Sequence, residues 1–397
     1  MALKSDCPVR IDGVSTPIVH VDELRLTHGV GSLLCTQTLS ERHLETITVE
    51  LVRTAEDHWV APLLAHRILV ANGLDRTPVP VRHALRKHLC FEAGFEILTG
   101  DEVRGLMSAA HAAGIDAMLL KGAALAYLYY PAPHLRPRLD TDVLIRDRDR
   151  DAMAALMAAL GYERSPALNG DGIAHQEEYT RTLRGGLLHG VDVHWKIANP
   201  LAFADLFSFD DLREDAVPVI ALGPEARAPS PVHMLLLVAL HRIAHHERDA
   251  DLLCMYDLHA IASRLSEREW RLALAAAGAR GVGPILAEAL HTAFTACPTT
   301  VPPFVGAWIE GERSVPLPER FAVFAARDRR VADVIASDVR LAGSWRARLR
   351  MMRRHAFPPA AYMRERYRTP SPWALPYLYA RRLVLGIPRV MRRGRYR

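Results

Sequence analysis

The sequence predicts an α+β protein, in which a small core of alternating strands and helices is flanked on both sides by α-helical regions. Apolar residues recur every three or four positions from about Ser40 to Gly114 and again after Pro200, which is the spacing of amphipathic helices. Between these regions, three short apolar runs alternate with helical segments, as in a small α/β unit. The expected division is a mainly helical N-terminal region at 1–110, an α/β core at 111–225, a helical C-terminal domain at 226–340 and a basic tail at 341–397.

The N-terminal region contains helical patterns that end at glycine. One pattern ends at Asn72-Gly73 and the next at Gly114, and glycine ends helices because it readily adopts the left-handed conformation. The first residues, MALKSDCPVRIDG, lack the apolar segment of a secretory signal. No run of apolar residues is long enough to span a bilayer, and the five cysteines are scattered without a CxxC pair. We therefore expect no transmembrane segment and a cytoplasmic location.

The predicted core alternates strands with helices that end at proline or glycine. Its expected elements, in order, are a strand at 115–120, a helix AALAYLYY that ends before Pro131, a strand at 140–145, an amphipathic helix that ends at Gly161, and a strand at 187–197.

Two of these strands are expected to carry charge on one face only. Residues i and i+2 of a strand share a face, so Asp140 projects with Asp142, and Asp192 projects with His194 and Lys196. If the two strands are neighbours, three carboxylates converge, which is costly unless a cation lies among them. Carboxylate ligands of this kind suit Mg²⁺. Surface acids on an edge strand would explain the Asp-x-Asp pattern at Asp140 and Asp142 equally well.

A phosphate-binding turn is predicted upstream of these acids. Gly122 follows a strand and precedes a helix, so backbone N–H groups and the positive end of the helix can meet an anion there. Lys121 adds positive charge beside that turn. In combination with the three carboxylates, the turn predicts metal-dependent transfer from a nucleoside triphosphate.

The segment from about 110 to 200 resembles the polymerase-β-type nucleotidyltransferase superfamily. Within it, the chain is most similar to an uncharacterised bacterial group with a Lys-Gly pair, an Arg-Pro-x-x-Asp-x-Asp run and an Asp-x-His-Trp run. These motifs correspond here to Lys121-Gly122, Arg136–Asp142 and Asp192–Trp195. The resemblance implies a mixed sheet and transfer of a nucleoside monophosphate with release of pyrophosphate.

The resemblance also implies roles for individual residues. Asp140 and Asp142 would hold Mg²⁺ against the triphosphate, and Asp192 would complete a second metal site and help to activate the acceptor hydroxyl. Two ions are expected, with Mn²⁺ as an alternative to Mg²⁺. The expected nucleotide-binding residues are Lys121, Gly122, Ala123, Arg136 and Arg138, and the expected outer-shell residues are His194, Lys196 and Asp257.

Two features depart from the wider superfamily. Ala123 stands where a serine is usual, so a hydroxyl contact to phosphate is missing. The spacing from Gly122 to Asp140 is also longer than usual. Both features fit the Lys-Gly group.

The tail is strongly basic and rich in aromatic residues. From Leu341 to Arg397 the chain has fifteen Arg, no Lys and one acid, Glu365, which gives +14 against +5 for the whole chain. Such a segment could contact a polyanion, either nucleic acid or an anionic membrane surface, or it could dock on the acidic body or on another copy of the chain.

Two functions follow from the sequence. The first is an Mg²⁺-dependent nucleotidyltransferase that moves AMP or another nucleoside monophosphate from an NTP, with ATP expected, to a hydroxyl on a small molecule, a peptide or protein, or an RNA. The second is a non-catalytic nucleotide- or RNA-binding protein that acts through its basic tail.

Overall fold

A computed structural model describes residues 21–36, 38–165, 174–245, 251–326, 329–369 and 371–391. Within these ranges, helices surround one small mixed sheet, which confirms the α+β class. The N-terminal residues predicted to lack a secretory signal lie outside the described ranges. In the part of the chain that is described, no helix is both long and apolar enough to cross a bilayer.

Five helices precede the sheet. They are Val21–Cys35 (α1), Glu41–Glu45 (α2), Val49–Asp57 (α3), Ala61–Val70 (α4) and Val79–Ala112 (α5). Asn72 and Gly114 have positive φ angles of 52° and 73°, so left-handed residues follow α4 and α5 as predicted. With 34 residues, α5 is about 50 Å long and reaches from the N-terminal helices to the sheet.

The sheet has five strands in the order β1-β2-β5-β4-β3. The strands are Ala117–Leu119 (β1), Asp140–Ile145 (β2), Glu163–Arg164 (β3), Gln176–Thr182 (β4) and Leu188–His194 (β5). β2 and β5 are parallel, and every other neighbouring pair is antiparallel. The three predicted strands are therefore present in a mixed sheet, with two further strands at one edge.

The last predicted strand is longer than the observed one, because β5 ends at His194 and not at Ile197. Its partner β4 begins at Gln176, which pairs with His194. Residues after His194 therefore have no strand residue beside them on that side, and Lys196 lies outside the sheet.

Four helices follow within or beside the core, namely Lys121–Tyr129 (α6), Arg150–Ala159 (α7), Leu201–Ala204 (α8) and Phe209–Glu214 (α9). A two-stranded sheet, Val217–Pro218 (β6) with Arg227–Ala228 (β7), comes next. α6 begins directly after β1 and packs against β2. Its residues Ala123 to Ala126 are almost fully buried, which fixes the start of the helix against the sheet.

The C-terminal helices are Pro231–His245 (α10), Leu252–Ala262 (α11), Glu267–Ala279 (α12), Gly283–Ala296 (α13), Pro303–Arg313 (α14), Glu319–Ala325 (α15) and Val331–Leu341 (α16). α10 and α11 pack against α6. One hydrophobic cluster extends from Val30 through the sheet to Val334. The division into four domains stays a prediction.

The basic tail forms three helices, Trp345–Ala356 (α17), Ala360–Arg366 (α18) and Leu375–Met391 (α19). α17 and α19 contact each other and α16. Met351, Met363 and Leu378 are buried there, yet none of them belongs to the main hydrophobic cluster. The tail therefore has a small apolar interior of its own.

Candidate active site

One face of the sheet carries a row of acids across three strands. Asp142 on β2 lies opposite Asp192 on β5, and Asp192 lies opposite Glu178 on β4. Residues in register on neighbouring strands point to the same face with their Cβ atoms about 5 Å apart. Asp140 lies two residues before Asp142 on that face and is exposed. The structure thus brings together the three aspartates predicted from the sequence and adds Glu178.

The opposite face of these strands is buried. Val143 and Val191 are fully buried in the core. Thr141 is also buried, and its hydroxyl pairs with Nε2 of His189 at 3.2 Å. The two strands therefore have the apolar back and charged front that the i, i+2 spacing predicts.

Asp142 is the most enclosed acid of the site. Its Oδ1 accepts hydrogen bonds from Nζ of Lys121 at 2.6 Å and from Nε2 of His194 at 2.7 Å. Burial opposes ionisation, but the Lys121 ammonium and the His194 hydrogen bond hold the pKa of Asp142 well below its usual range. Asp142 is thus a permanent carboxylate at the centre of the site.

Asp192 is positioned by an amide network. Nε2 of Gln176 donates to Oδ2 of Asp192 at 2.6 Å, and Nδ2 of Asn199 donates to Oε1 of Gln176 at 3.0 Å. Burial, Asp142 and Asp140 raise the pKa of Asp192 to about 7. The two oxygens of Asp192 therefore differ, because Gln176 engages only one of them.

The pKa of Asp140 is also raised. Burial of its carboxyl group among protein atoms, followed by repulsion from Asp142, raises the pKa of Asp140 to about 6. Its surface nevertheless remains exposed, so an ion from solvent can reach it. Burial and mutual repulsion thus disfavour the charged forms of Asp140 and Asp192, although the Lys121 ammonium opposes this for both.

His194 joins the acids as a metal-ligating candidate. Asp142, Asp192 and His194 each offer one ligand atom, and these atoms lie within 4.8 Å of one another. Nδ1 of His194 is buried and has no hydrogen-bond partner among the described residues. Burial and the Lys121 charge lower the pKa of His194, so the imidazole is neutral, which is the form that binds metals.

The Lys121-Gly122 turn lies beside Asp142. Lys121 has a φ of 43°, a conformation that is costly for a residue with a side chain. The backbone N–H of Leu120 donates to the carbonyl of Asp142 at 2.9 Å. The first turn of α6 therefore starts within reach of the carboxylates, and the Lys121 ammonium beside that turn is paired with Asp142.

Arg136 is held by a buried acid of the C-terminal helices. Its Nε and Nη2 donate to the two oxygens of Asp257 on α11 at 2.9 and 2.7 Å, and the Tyr130 hydroxyl donates to the same carboxylate at 2.7 Å. Nη1 faces the turn, since a Cβ atom at Gly122 would lie 2.8 Å from it. Arg136 is thus positioned beside the turn, with Asp257 as the residue that orients it.

Arg138, predicted from the sequence to bind nucleotide, has its guanidinium engaged by α5. It is buried, and its guanidinium forms a forked ion pair with Glu96 on α5 and contacts the Thr99 hydroxyl. The Tyr127 hydroxyl donates to the same Glu96 at 2.5 Å. Because a buried cation needs a paired acid, Arg138 fastens the start of β2 to α5.

The structure also gives the surroundings of two other residues named from the sequence. The Ala123 side chain is fully buried, so only its backbone can face a phosphate. Lys196 pairs with Asp205, because the strand has already ended, and it does not join the carboxylates.

Sequence reasoning missed Glu178, Gln176 and Glu96. The segment QEEYTRT is mostly polar, and Tyr179 is its one buried residue, so β4 gives no apolar run. The Gly185-Gly186 pair, with φ angles of 77° and 80°, is typical of a β-hairpin turn. Such a turn predicts a strand before it that pairs antiparallel with β5, and β4 is that strand.

The donor set fits a divalent cation. Asp140, Asp142, Asp192 and Glu178 share one face, and the nearest ammonium is that of Lys121. Carboxylate oxygens are the ligands that Mg²⁺ and Mn²⁺ take, and Mn²⁺ also accepts imidazole. A divalent ion bound there would offset the burial and the repulsion between carboxylates that raise the pKa values of Asp140 and Asp192.

The chain was compared with protein families and with curated proteins. The model of a family described as uncharacterised nucleotidyltransferases matches residues 48–297, which is more than half of the 397 residues. The matched span contains every residue of the candidate site, from Glu96 on α5 to Asp257 on α11. The search of curated proteins found no match.

Proposed function

Because this chain belongs to the family of uncharacterised nucleotidyltransferases, we propose that it transfers a nucleoside monophosphate, AMP first among the candidates, from an NTP to a hydroxyl group and releases pyrophosphate. Family membership makes the chain a transferase enzyme. A purely non-catalytic binding protein, the alternative that the sequence allowed, is therefore set aside. The cytoplasm, where ATP and Mg²⁺ are abundant, is the proposed location.

The observation that carries the proposal is the register of Asp142 against Asp192. These two acids lie on adjacent parallel strands, while the Lys121-Gly122 turn and the start of α6 border Asp142. Carboxylates on one side and a helix N-terminus on the other suit a triphosphate bound through a divalent ion.

Asp140, Asp142 and Asp192 would hold Mg²⁺, with His194 as a further ligand for Mn²⁺. The bound ion would neutralise charge on the phosphates and favour in-line displacement. Lys121 already pairs with Asp142, so we expect its ammonium to turn toward the phosphates when the cation takes its place beside that carboxylate.

The remaining residues bind the nucleotide and move the proton. The N–H groups of Gly122 and Ala123 face the phosphates, and Nη1 of Arg136, held by Asp257, adds a fixed positive charge. Asp192 accepts the proton of the acceptor hydroxyl at Oδ1, because Gln176 occupies Oδ2.

Labelled nucleotides test the reaction class. The purified enzyme is incubated with Mg²⁺, a cell extract as the acceptor source, and ATP labelled at either the α- or the γ-phosphate. We expect label from the α-position in the acceptor and label from the γ-position in pyrophosphate. Label from the γ-position in the acceptor would identify a kinase instead.

Matched variants test the site. Asp142→Asn and Asp192→Asn each remove one charge with little change of shape, and we expect each to lower transfer by about a hundredfold or more. Glu267→Gln, an exposed acid on α12, serves as the control. Transfer at the wild-type rate by both aspartate variants would refute the assignment.

A further inference from the structure

The basic tail carries a row of exposed apolar side chains on α17. Trp345, Leu349 and Met352 are spaced i, i+4 and i+7, so they lie on one face of the helix. All three are exposed, with 68% of Trp345 accessible to solvent. On the inward side of the same helix, Met351 is buried. The exposed row is therefore not part of the interior of the tail.

A second exposed row lies on α19 and the turn before it. Trp373, Tyr377 and Val384 are spaced at helical intervals, and Leu385 lies next to Val384. Trp373 is 91% exposed and Val384 69% exposed. Because α17 and α19 contact each other, the two rows belong to one compact helical unit.

Positive charge accompanies both rows. On α17, each residue of the apolar row is followed in the sequence by an arginine. These arginines, Arg346, Arg350 and Arg353, are exposed and form a basic stripe beside the apolar row. Arg381 lies within the row of α19 and is also exposed. Fifteen arginines against the single Glu365 leave this charge without a balancing acid in the tail itself.

We propose that α17 and α19 lie in the surface of a bilayer that contains anionic lipid. Helices that bind a bilayer in this way bury apolar side chains among the acyl chains and keep flanking arginines at the headgroups. Each arginine near an anionic surface strengthens the attraction.

The aliphatic residues favour a bilayer over a polynucleotide. A single-stranded nucleic acid is bound by a basic groove with aromatic rings for base stacking. Leu349, Met352, Val384 and Leu385 offer no ring to a base, and burial of their surface needs an apolar phase. The arginine content fits both a bilayer and a polynucleotide, and the exposed aliphatic side chains favour the bilayer.

Vesicle flotation tests this surface. The full chain is mixed at physiological salt with vesicles of phosphatidylcholine alone or of phosphatidylcholine with about one-third phosphatidylglycerol. We expect flotation with the anionic vesicles only, weaker at higher salt. A blue shift of the tryptophan fluorescence on binding, reduced in Trp373→Ser because Trp345 still inserts, would place the Trp373 side chain in the bilayer.

Two triple variants separate charge from apolar contact. Replacement of Arg346, Arg350 and Arg353 by Gln is expected to lower the partition coefficient about a hundredfold. Replacement of Trp345, Leu349 and Met352 by Ser is expected to lower it at least about tenfold. The control replaces three apolar residues exposed outside the tail, Val79, Ile97 and Leu272, by Ser and should float like the wild type.

Three results would overturn the proposal. The first is that the chain does not float with anionic vesicles. The second is that the serine variant of α17 and Trp373→Ser float as well as the wild type. The third is that a single-stranded RNA displaces the chain from vesicles and binds the serine variant as tightly as the wild type. The last result would identify the tail as a polynucleotide-binding surface. None of these measurements depends on nucleotidyl transfer, so the inference stands or falls independently of the proposed function.

Discussion

Three neighbouring carboxyl groups of the site differ in their proton affinity. Asp142 receives both the Lys121 ammonium and the His194 hydrogen bond, so its pKa lies well below the usual range. Asp140 and Asp192 face Asp142 and are left with pKa values of about 6 and about 7. The Lys121 ammonium thus outweighs burial at Asp142, with which it is hydrogen-bonded, but not at Asp140 and Asp192, where burial and repulsion between the acids prevail.

Glu92 on α5 offers a residue-scale test outside the proposed machinery. Burial and, to a smaller extent, Glu96 raise its pKa from 4.5 to about 7, while Arg138 lowers it. The folded state therefore prefers the protonated form, and stability falls as the pH rises from about 4.5 to about 7. Glu92→Gln should raise the free energy of unfolding above pH 7 by about 1 kcal/mol, a value reduced for solvent screening.

Urea unfolding at pH 4.5 and pH 8 measures this effect. The variant and the wild type should be equally stable at the lower pH and differ at the higher one. Glu45→Gln, an exposed change, should shift stability by less than about 0.5 kcal/mol at either pH. An equal gain for Glu92→Gln at both pH values would contradict the assignment.

The strand positions of the site residues could be predicted, whereas the partners of the arginines could not. Strand alternation places Asp140 and Asp142 on one face from local sequence alone, and Asp192 joins them because β5 pairs with β2. The ion pairs of Arg136 with Asp257 and of Arg138 with Glu96 join residues 121 and 42 positions apart. No local pattern reports such pairs, because they are set by how α5 and α11 pack on the core.

At the scale of elements, the start of α6 depends on a residue without a side chain. A Cβ atom at Gly122 would lie 2.8 Å from Nη1 of Arg136 and 3.4 Å from Cβ of Arg138. Both arginines are held by buried ion pairs, so neither can move freely. Gly122→Ala should lower the free energy of unfolding by about 1–3 kcal/mol and reduce nucleotidyl transfer.

Gly105→Ala provides the matched control. Gly105 lies in α5, and a Cβ atom there would meet nothing within 4 Å. Because alanine favours a helix interior, this variant should gain up to about 1 kcal/mol. Chemical denaturation of both variants gives the comparison, and a Gly122→Ala variant as stable and active as the wild type would show that Arg136 does not need its present position.

β4 and β3 show why part of the sheet could not be predicted. β3 is the edge strand, with only two residues, and β4 lies between β3 and β5, where pairing with β5 supplies backbone hydrogen bonds that need no apolar side chain. The polar QEEYTRT segment therefore gives no signal of its own, although it contributes Glu178 and Gln176 to the site.

At the scale of the whole molecule, the site joins the sheet to helices on both sides. α5 reaches it through Glu96, and α11 reaches it through Asp257. A ligand that binds this site should therefore stabilise the folded chain as a unit. Mg²⁺ or Mn²⁺ at about a hundred times its dissociation constant should add about 2.7 kcal/mol to the free energy of unfolding.

Urea unfolding with and without the ion checks this value. Combined Asp142→Asn and Asp192→Asn should abolish the gain, while Glu267→Gln should retain it. A gain that persists in the double aspartate variant would place the ion elsewhere.

The pairing of Arg136 with Asp257 also has a consequence for biosynthesis. A ribosome makes the chain from its N-terminus, so the sheet and its aspartates emerge before α11. Until Asp257 has been added, the buried position of Arg136 lacks its acid, and the turn at Gly122 lacks its support. A nascent or prematurely terminated chain that ends before α11 therefore carries the three aspartates without a completed site, and it should not consume nucleotide.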